Sequence, residues 1–436
     1  MSLKCDFCKI WLPIILLVAV GFYAAYQFVP PLASNELRIA TGSKKGAYYQ
    51  YALKYQESLK EEGIDLQIQT SAGSVEALQL LIDGEVDIAF VQGGVTEGLN
   101  NDEIGLHSIA SLFYEPLWVF HRKSLGELIY LKELRGKRLA IGLQGSGTRA
   151  LMMKLLRDNG IDANNTTFLS LNYAAAEAML QSGEIDAAFF VTSPKSKTIA
   201  TLVVHPDISI MDFSQRDKAY IGYYPFLNSL TIGEGLIDFK ENIPSKDIQV
   251  LSATASLLVN KEIHPDHVRL LSREALNIHS KPSLLAASRE FPSVDYLEVP
   301  IHEDAKRYLE KGPSFLEKIF PFSVATTLDR LKILLIPLLT LLFPLVKGAI
   351  PLYQWRIRSR NYRWYKELYQ ADLQVNSSDL KVIDSAIEQM TQLHGELLVE
   401  VSVPLSYMSE FYELRVHTNL VLNQLKEQRV LLMAAG

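Results

Sequence analysis

RIATG at Arg38–Gly42 and GEVDIAF at Gly84–Phe90 bracket a stretch that the chain writes twice, for RLAIG stands at Arg138–Gly142 and GEIDAAF at Gly183–Phe189. Opening and closing motifs lie almost equally far apart in the two copies, so one supersecondary unit serves two lobes. Two similar lobes imply a cleft between them. Each copy reads as strand, glycine-rich turn, helix, strand. In the first, LRIAT meets Gly42, Ser43 and Gly46, and a helical period then carries Tyr48, Tyr49, Ala52, Leu53 and Leu59. In the second, Leu139–Ile141 meets Gly145-Ser146-Gly147-Thr148, and a helix with Leu151, Met152, Leu155 and Leu156 stops at Asn159-Gly160. Both turns set unpaired backbone N–H groups and small hydroxyls at a helix N-terminus, which is anion-binding geometry. The same residues also serve as plain turn glycines and N-caps. The GE(V/I)D motifs read as structural, with Gly84 and Gly183 ending helices and Asp87 and Asp186 at strand starts.

Two β-prone runs join the copies. SIASLFYEPLWVFHRK, Ser108–Lys123, carries the chain from lobe one to lobe two, and IQVLSATASLLVN, Ile248–Asn260, carries it back. The expected architecture is α/β and two-lobed, with lobe 1 over 36–112 and 250–325 and lobe 2 over 113–249. Two crossovers of this kind make a hinge that closes on a ligand.

Residues 10–30 are nearly all apolar and uncharged, follow Lys4 and Lys9, and end at Pro30-Pro31. That is long enough to cross a bilayer about 30 Å thick as a helix. A cleaved signal peptide is the rival reading, which the long apolar run and Pro31 disfavour. A second apolar segment, 333–355, is followed by Arg356, Arg358, Arg360, Arg363 and Lys366, and a buried core helix is its rival. Basic residues flank both segments on one side. The expected topology is a cytoplasmic N-terminus at 1–9, an exported domain at 34–325, and a cytoplasmic tail at 356–436. In the tail, Leu380, Ile383, Ile387, Met390, Leu393 and Leu397 recur at helical spacing after a Ser378 N-cap, and Met408, Phe411, Leu414, Val421 and Leu425 repeat the pattern beyond Pro404. A C-terminal helical hairpin is expected, suited to self-packing, to a partner, or to a homodimer.

A net charge of -6 with a pI near 5.9 excludes a nucleic-acid binder with a basic face. Cys5 and Cys8, the only cysteines, make half a zinc site at most. No cofactor, metal or catalytic role is expected. Ser146 lacks the G-x-S-x-G elbow, Gly42–Gly46 lacks phosphate-loop spacing and lysine, and His264 and His267 have no evident third ligand, so helix capping and a solvated face suit them better.

TGSKKGAYY at Thr41–Tyr49, SAGSVEALQLLIDGEVDIAFVQGG at Ser71–Gly94 and GLQGSGTRA at Gly142–Ala150 resemble the TAXI solute-binding proteins of tripartite ATP-independent periplasmic (TRAP) transporters. HPDHVRLLSREALNIHS at His264–Ser280, KGPSFLEKIFPFSVATTLDRL at Lys311–Leu331 and RSRNYRWYKEL at Arg358–Leu368 are similar to a membrane-anchored branch of that family. The resemblance implies a type II periplasmic-binding-protein fold flanked by two transmembrane helices, in a bacterial inner membrane with the binding domain in the periplasm. It implies a small organic solute, a carboxylate or amino acid and so anionic in the family's usual case, and membrane transporter subunits as partners. Carried over by residue, the solute meets Thr41, Gly42, Ser43 and Tyr48 or Tyr49 from the first turn. Ser74 follows from the second loop, Gln92 and Gly93 from a strand end, and Ser146, Gly147 and Thr148 from lobe two. Ala77, Gly94, Lys44 and Lys45 depart from the family pattern, so the solute is expected to differ or binding to be lost. A second expectation, of another class, is a solute sensor that relays closure to the tail.

Overall fold

The computed structural model describes residues 33–399 and 408–435, with residues 12, 15, 16, 18–21, 23, 24 and 27; within 330–362 many side chains lie outside the description. The expectations for the cytoplasmic N-terminus, for Cys5 and Cys8, and for most of 10–30 fall outside the described residues. The chain forms two compact units, one of residues 31–327 and one of residues 1–30 with 328–436.

In the first unit the order is β1 (Glu36–Thr41), α1 (Ala47–Glu61), β2 (Asp65–Thr70), α2 (Ser74–Ile82), β3 (Ile88–Gln92), α3 (Asn101–Ile104) and β4 (Leu106–Arg122). It continues with β5 (Arg138–Ala140), α4 (Gly147–Asp158), β6 (Thr167–Leu169), α5 (Tyr173–Ser182), β7 (Ala187–Val191), α6 (Lys197–Val203), β8 (Ile208–Ile210), α7 (Asp217–Tyr223) and β9 (Asn228–Ile232). It ends with β10 (Ile248–Asn260), α8 (Pro265–His279) and α9 (Glu303–Lys311). The strands follow the order β2-β1-β3-β10-β4-β7-β5-β6, with β8 on β4 and β9 on β10.

Each copy of the repeat builds one half. β1 lies parallel to β2 and β3, and β5 lies parallel to β6 and β7. The 17 residues of β4 and the 13 of β10 pair antiparallel and belong to both halves. The first half of β4 and the second half of β10 complete lobe one, with β10 antiparallel to β3; the opposite halves complete lobe two, with β4 antiparallel to β7. Helices cover both faces of each half. In lobe one, Ile39, Tyr55, Leu59 and Phe90 pack on one face and Ala40, Ala77, Leu81 and Val91 on the other. A strand covered on both faces is apolar throughout rather than alternating, which is why both crossover runs are so uniformly hydrophobic. The buried face of α1 is Tyr48, Ala52, Tyr55 and Leu59, a regular helical stripe, whereas the expected Leu53 is exposed. On α4, Leu151, Met152, Leu155 and Leu156 are all buried.

The motifs that close the repeats bind those that open them. Asp87 accepts from the backbone N of Arg38 at 2.8 Å and from its Nη2 at 3.0 Å, and the same Nη2 reaches Gly84 O at 3.2 Å. Lobe two repeats the arrangement: Asp186 accepts from Arg138 N at 2.8 Å and Nη2 at 2.9 Å, and Nη2 reaches Gly183 O at 3.0 Å. Gly84 and Gly183 hold φ of +72° and +80° just past a helix end, where glycine is favoured. Each clamp ties the start of one strand to the start of its parallel neighbour and to the end of the intervening helix.

The second unit is helical. Here α10 (Phe322–Asp372), which begins in the first unit, is followed by α11 (Leu380–Val399) and α12 (Met408–Ala435). The expected hairpin forms between α11 and α12, and the end of α10 packs on it as a third helix, with Trp364, Leu368 and Ala371 joining Met390, Leu393, Leu414 and Leu425 in one core. No glycine or proline interrupts α10 beyond Pro351, so the basic cluster continues the helix into that core. The cap of α11 falls one residue after Ser378, where Asp379 Oδ1 accepts from Lys381 N at 2.9 Å. Most of the expected span at 10–30 lies outside the described residues; the backbone of 333–355 is helical within α10, and among the described residues no helix is long and apolar enough to cross a membrane.

Asp186→Ala removes the acceptor from both the backbone and the guanidinium of Arg138, and lowers Tm by a few degrees at neutral pH. The Arg138 hydrogen bond holds Asp186 below the usual carboxylate value, so its contribution is present at neutral pH and is lost as pH falls through the folded value. Thermal melts from neutral to strongly acidic pH should show the gap between wild type and variant closing on acidification; a constant gap would contradict the clamp.

Candidate functional site

Helix N-termini face the gap between the lobes. In α4 the N-cap is Ser146, whose Oγ accepts from Arg149 N at 3.2 Å and donates to Leu143 O at 2.7 Å. Thr148 Oγ1 lies 3.0 Å from the Tyr173 hydroxyl at the start of α5, and that hydroxyl also bonds the backbone of Val191. In lobe one, Ser74 opens α2 and its Oγ accepts from Gln92 N at 3.1 Å. Tyr48, the second residue of α1, donates to Glu115 Oε2 at 2.8 Å and lies beside Ser74. Tyr48, Ser74, Gln92, Gly147 and Thr148 therefore come together. Other expected residues are engaged elsewhere: Thr41 Oγ1 bonds the Gly42 and Gln69 carbonyls, Gly93 N bonds Thr254 O at 2.8 Å, and Ser43 is exposed with its carbonyl turned onto Gly46 N. Gly42 has open space where a Cβ would stand, and Tyr49 is half-buried.

The lobes are shut. Val75 N donates across the gap to Gly145 O at 3.2 Å. A Cβ on Gly73 would lie 2.7 Å from Ser146 Cα, one on Gly145 3.1 Å from Ala72 Cβ, and one on Gly147 2.7 Å from Gln92 Oε1. Only glycine allows backbones this close. The turn of lobe two thus meets the Ala72-Gly73 loop rather than the turn at Gly42–Gly46. At the rim, Lys154 of α4 ion-pairs with Glu97 of lobe one, and Phe226 fills the space beside Gly94. Gly94 N and Thr96 Oγ1 both donate to Glu298, whose carboxyl burial pushes up.

Beneath this rim lies a polar floor. Glu115 stands on β4 opposite Ala253 of β10, where the strand pair passes between lobes. Tyr48 reaches it from lobe one and Tyr173 lies near it from lobe two. Glu115 and Tyr173 are half-buried. Burial pushes the Glu115 carboxyl up to about 8, against the pull of the Tyr48 hydrogen bond. Burial likewise raises the Tyr48 and Tyr173 phenols. Sequence reasoning passed over Glu115 and Tyr173. The available signal was a single carboxylate in the middle of an apolar 17-residue strand, a position that asks for a partner.

His264 is a helix cap, accepting from Asp266 N at 3.1 Å, and His267 Nε2 lies 2.8 Å from Ser34 O. Among the described residues no three His, Cys, Asp or Glu side chains gather as a metal site.

The model of the NMT1-like family matches residues 39–312. No curated protein matches the chain. Among solved structures, a protein from Bordetella bronchiseptica RB50 is 18% identical over 65% of this chain and 100% of its own, with a TM-score of 0.43. An amino acid ABC transporter substrate-binding protein, AbpA from Streptococcus pneumoniae, bound to L-arginine, is 14% identical over 56% of this chain and 89% of its own, with a TM-score of 0.36. The alkanesulfonate-binding protein SsuA from Xanthomonas axonopodis pv. citri, bound to MOPS, is 13% identical over 65% of this chain and 86% of its own, with a TM-score of 0.34. Likenesses this remote say nothing about a ligand.

Gly73→Ala puts a Cβ into the Ser146 backbone at a φ of +151°, so the lobes part and the amide of Val75 exchanges faster. Hydrogen exchange of a peptide covering 71–82 checks this, and unchanged protection there would refute it. Glu115→Gln removes an acid that is costly to ionise in the fold. Since the folded value lies above the unfolded one, the wild type loses stability as pH rises from the ordinary carboxylate range to about 8. The Tm advantage of the variant should grow across that window and level off above it.

Proposed function

Because the chain belongs to the NMT1-like family, we propose that residues 31–327 are a solute-binding receptor whose two lobes shut over one small organic solute, a carboxylate or an amino acid. The observation that carries this reading is the polar cluster of Tyr48, Glu115, Tyr173 and Thr148 where the two lobes meet, together with their direct contact at Gly73, Gly145 and Gly147. Tyr48, Ser74, Gln92, Gly147 and Thr148 are the residues proposed to meet the solute. Ser146 serves them by capping α4, and Thr41, Gly42, Ser43, Tyr49 and Gly93 shape the surrounding turns.

The finer reading is a TAXI-type receptor of a TRAP transport system, tethered to the bacterial inner membrane with its lobes in the periplasm. The motifs at Thr41–Tyr49, Ser71–Gly94 and Gly142–Ala150 support the family, and the apolar segments at 10–30 and 333–355 with their flanking basic residues support the tether. In this reading the shut form is what a membrane transporter recognises. The separate helical core of α10, α11 and α12 favours a second role, in which that unit receives the signal of closure.

A thermal-shift screen of the full chain against amino acids, keto acids, hydroxy acids and dicarboxylates tests the receptor. A true solute at a hundred times its Kd adds about 2.7 kcal/mol to stability, and the shift should vanish in Gly73→Ala if closure is part of binding. Absence of any shift across the set would remove the receptor reading.

A further inference from the structure

Glu115 is a carboxyl without a cation. Leu112 and Leu117, on either side of it along β4, are buried, and Ala253 faces it from β10. The titratable groups that face it are Tyr48 from α1 and Tyr173 from α5, both phenols. The neighbouring Tyr114 is taken by Glu290, to which it donates at 2.7 Å. Among the described residues no lysine, arginine or histidine pairs with Glu115. An ionised carboxylate held out of water is strongly unfavourable unless a positive charge joins it.

A further observation lies close by. Gln92 is 4% exposed, and its Nε2 has no hydrogen-bond partner although its backbone N is engaged by Ser74. A buried amide donor of this kind awaits an acceptor. The floor therefore lacks a positive charge at one point and an acceptor at another.

Building on the receptor reading above, we infer that the solute carries a protonated amine that forms an ion pair with Glu115, and an acceptor oxygen that takes the free Gln92 Nε2 hydrogen. A plain carboxylate without an amine would leave Glu115 unmatched. With the Glu115 carboxyl raised to about 8, the empty cleft holds a neutral acid near neutral pH, and the incoming ammonium displaces its proton to bulk water. Affinity then rises about tenfold per pH unit below that value and levels above it.

The test uses matched probes on the full chain: glycine against glycolate, L-alanine against L-lactate, L-glutamate against 2-hydroxyglutarate, and 4-aminobutyrate against 4-hydroxybutyrate. Thermal shift at pH 8 finds the binding pair, and calorimetry from pH 6 to 8.5 in buffers of different ionisation enthalpy measures affinity and proton release. The expected result is binding by the amine member alone, about one proton released at pH 7, and a loss of at least about a hundredfold in Glu115→Gln together with the pH slope. Equal binding by the hydroxy member, or an amine that binds Glu115→Gln undiminished, overturns the inference and leaves the receptor reading standing. If the variant fails to fold, proton release by the wild type decides alone, and no release overturns the inference. Silence from every probe in the wild type removes the receptor reading and the inference with it.

Discussion

The antiparallel pairing of β4 with β10 is the constraint from which the rest of the first unit follows. Both strands run through both halves, so each lobe's sheet is completed by chain that belongs equally to the other. Backbone hydrogen bonds along this pair fix where the lobes meet and leave the crossing as the place where one can turn on the other. Register shifts between Ala255 and Ser256 and between Leu257 and Leu258 fall on the lobe-one side, beyond the crossing. Bulges of this sort increase local twist and re-aim side chains. The residue that the pair presents at the crossing is Glu115, and it is anchored by strands rather than loops.

Much of the fold was legible because the chain repeats itself. RIATG with GEVDIAF, and RLAIG with GEIDAAF, mark strand starts and helix ends whose spacing survives in three dimensions as the Arg38–Asp87 and Arg138–Asp186 clamps. The partnership within each clamp was not legible, since it joins residues 49 and 48 positions apart. Periodicity found α4 completely but erred on α1, where Tyr55 rather than Leu53 is inside; an amphipathic tyrosine at the right phase outweighed a leucine at the wrong one. The hairpin of the tail was legible but the third helix on it was not, because Trp364 lies inside a basic run and Leu368 directly after it, where charge hid the apolar stripe.

The site was legible by half. Small hydroxyls and glycines at helix starts announced a cleft; their reading as caps and turn residues was legible, but the contact between lobes that the glycines permit was not. Gly145 and Gly147 let the lobes touch, and Ser146 caps its own helix. What the pattern of turns suggested as a cradle for negative charge is at least as much a latch. The floor escaped notice because Glu115, Tyr48 and Tyr173 come from three separate segments, and only the fold makes them neighbours. A motif search weighs residues near one another in the chain, whereas desolvation acts on residues near one another in space.

Latch and floor together make closure sensitive to charge. Bringing Gly73 against Ser146 and Gln92 against Gly147 shields Glu115 from bulk water, and the cost of shielding an ionised carboxylate grows as the local dielectric falls. Shutting an empty cleft costs less with that carboxyl as a neutral acid than as a carboxylate, and a bound cation would offset the cost of the ionised form. In the first case Tyr48 is its hydrogen-bond donor, and in the second Tyr48 shares it with the guest. A solute that matches the floor therefore stabilises the shut form more than the open one, which is the condition for a ligand to drive a conformational equilibrium at all. Placing the acid on the crossing strands, instead of on either lobe, makes that match a property of the hinge and lets one ion pair act on both halves of the molecule.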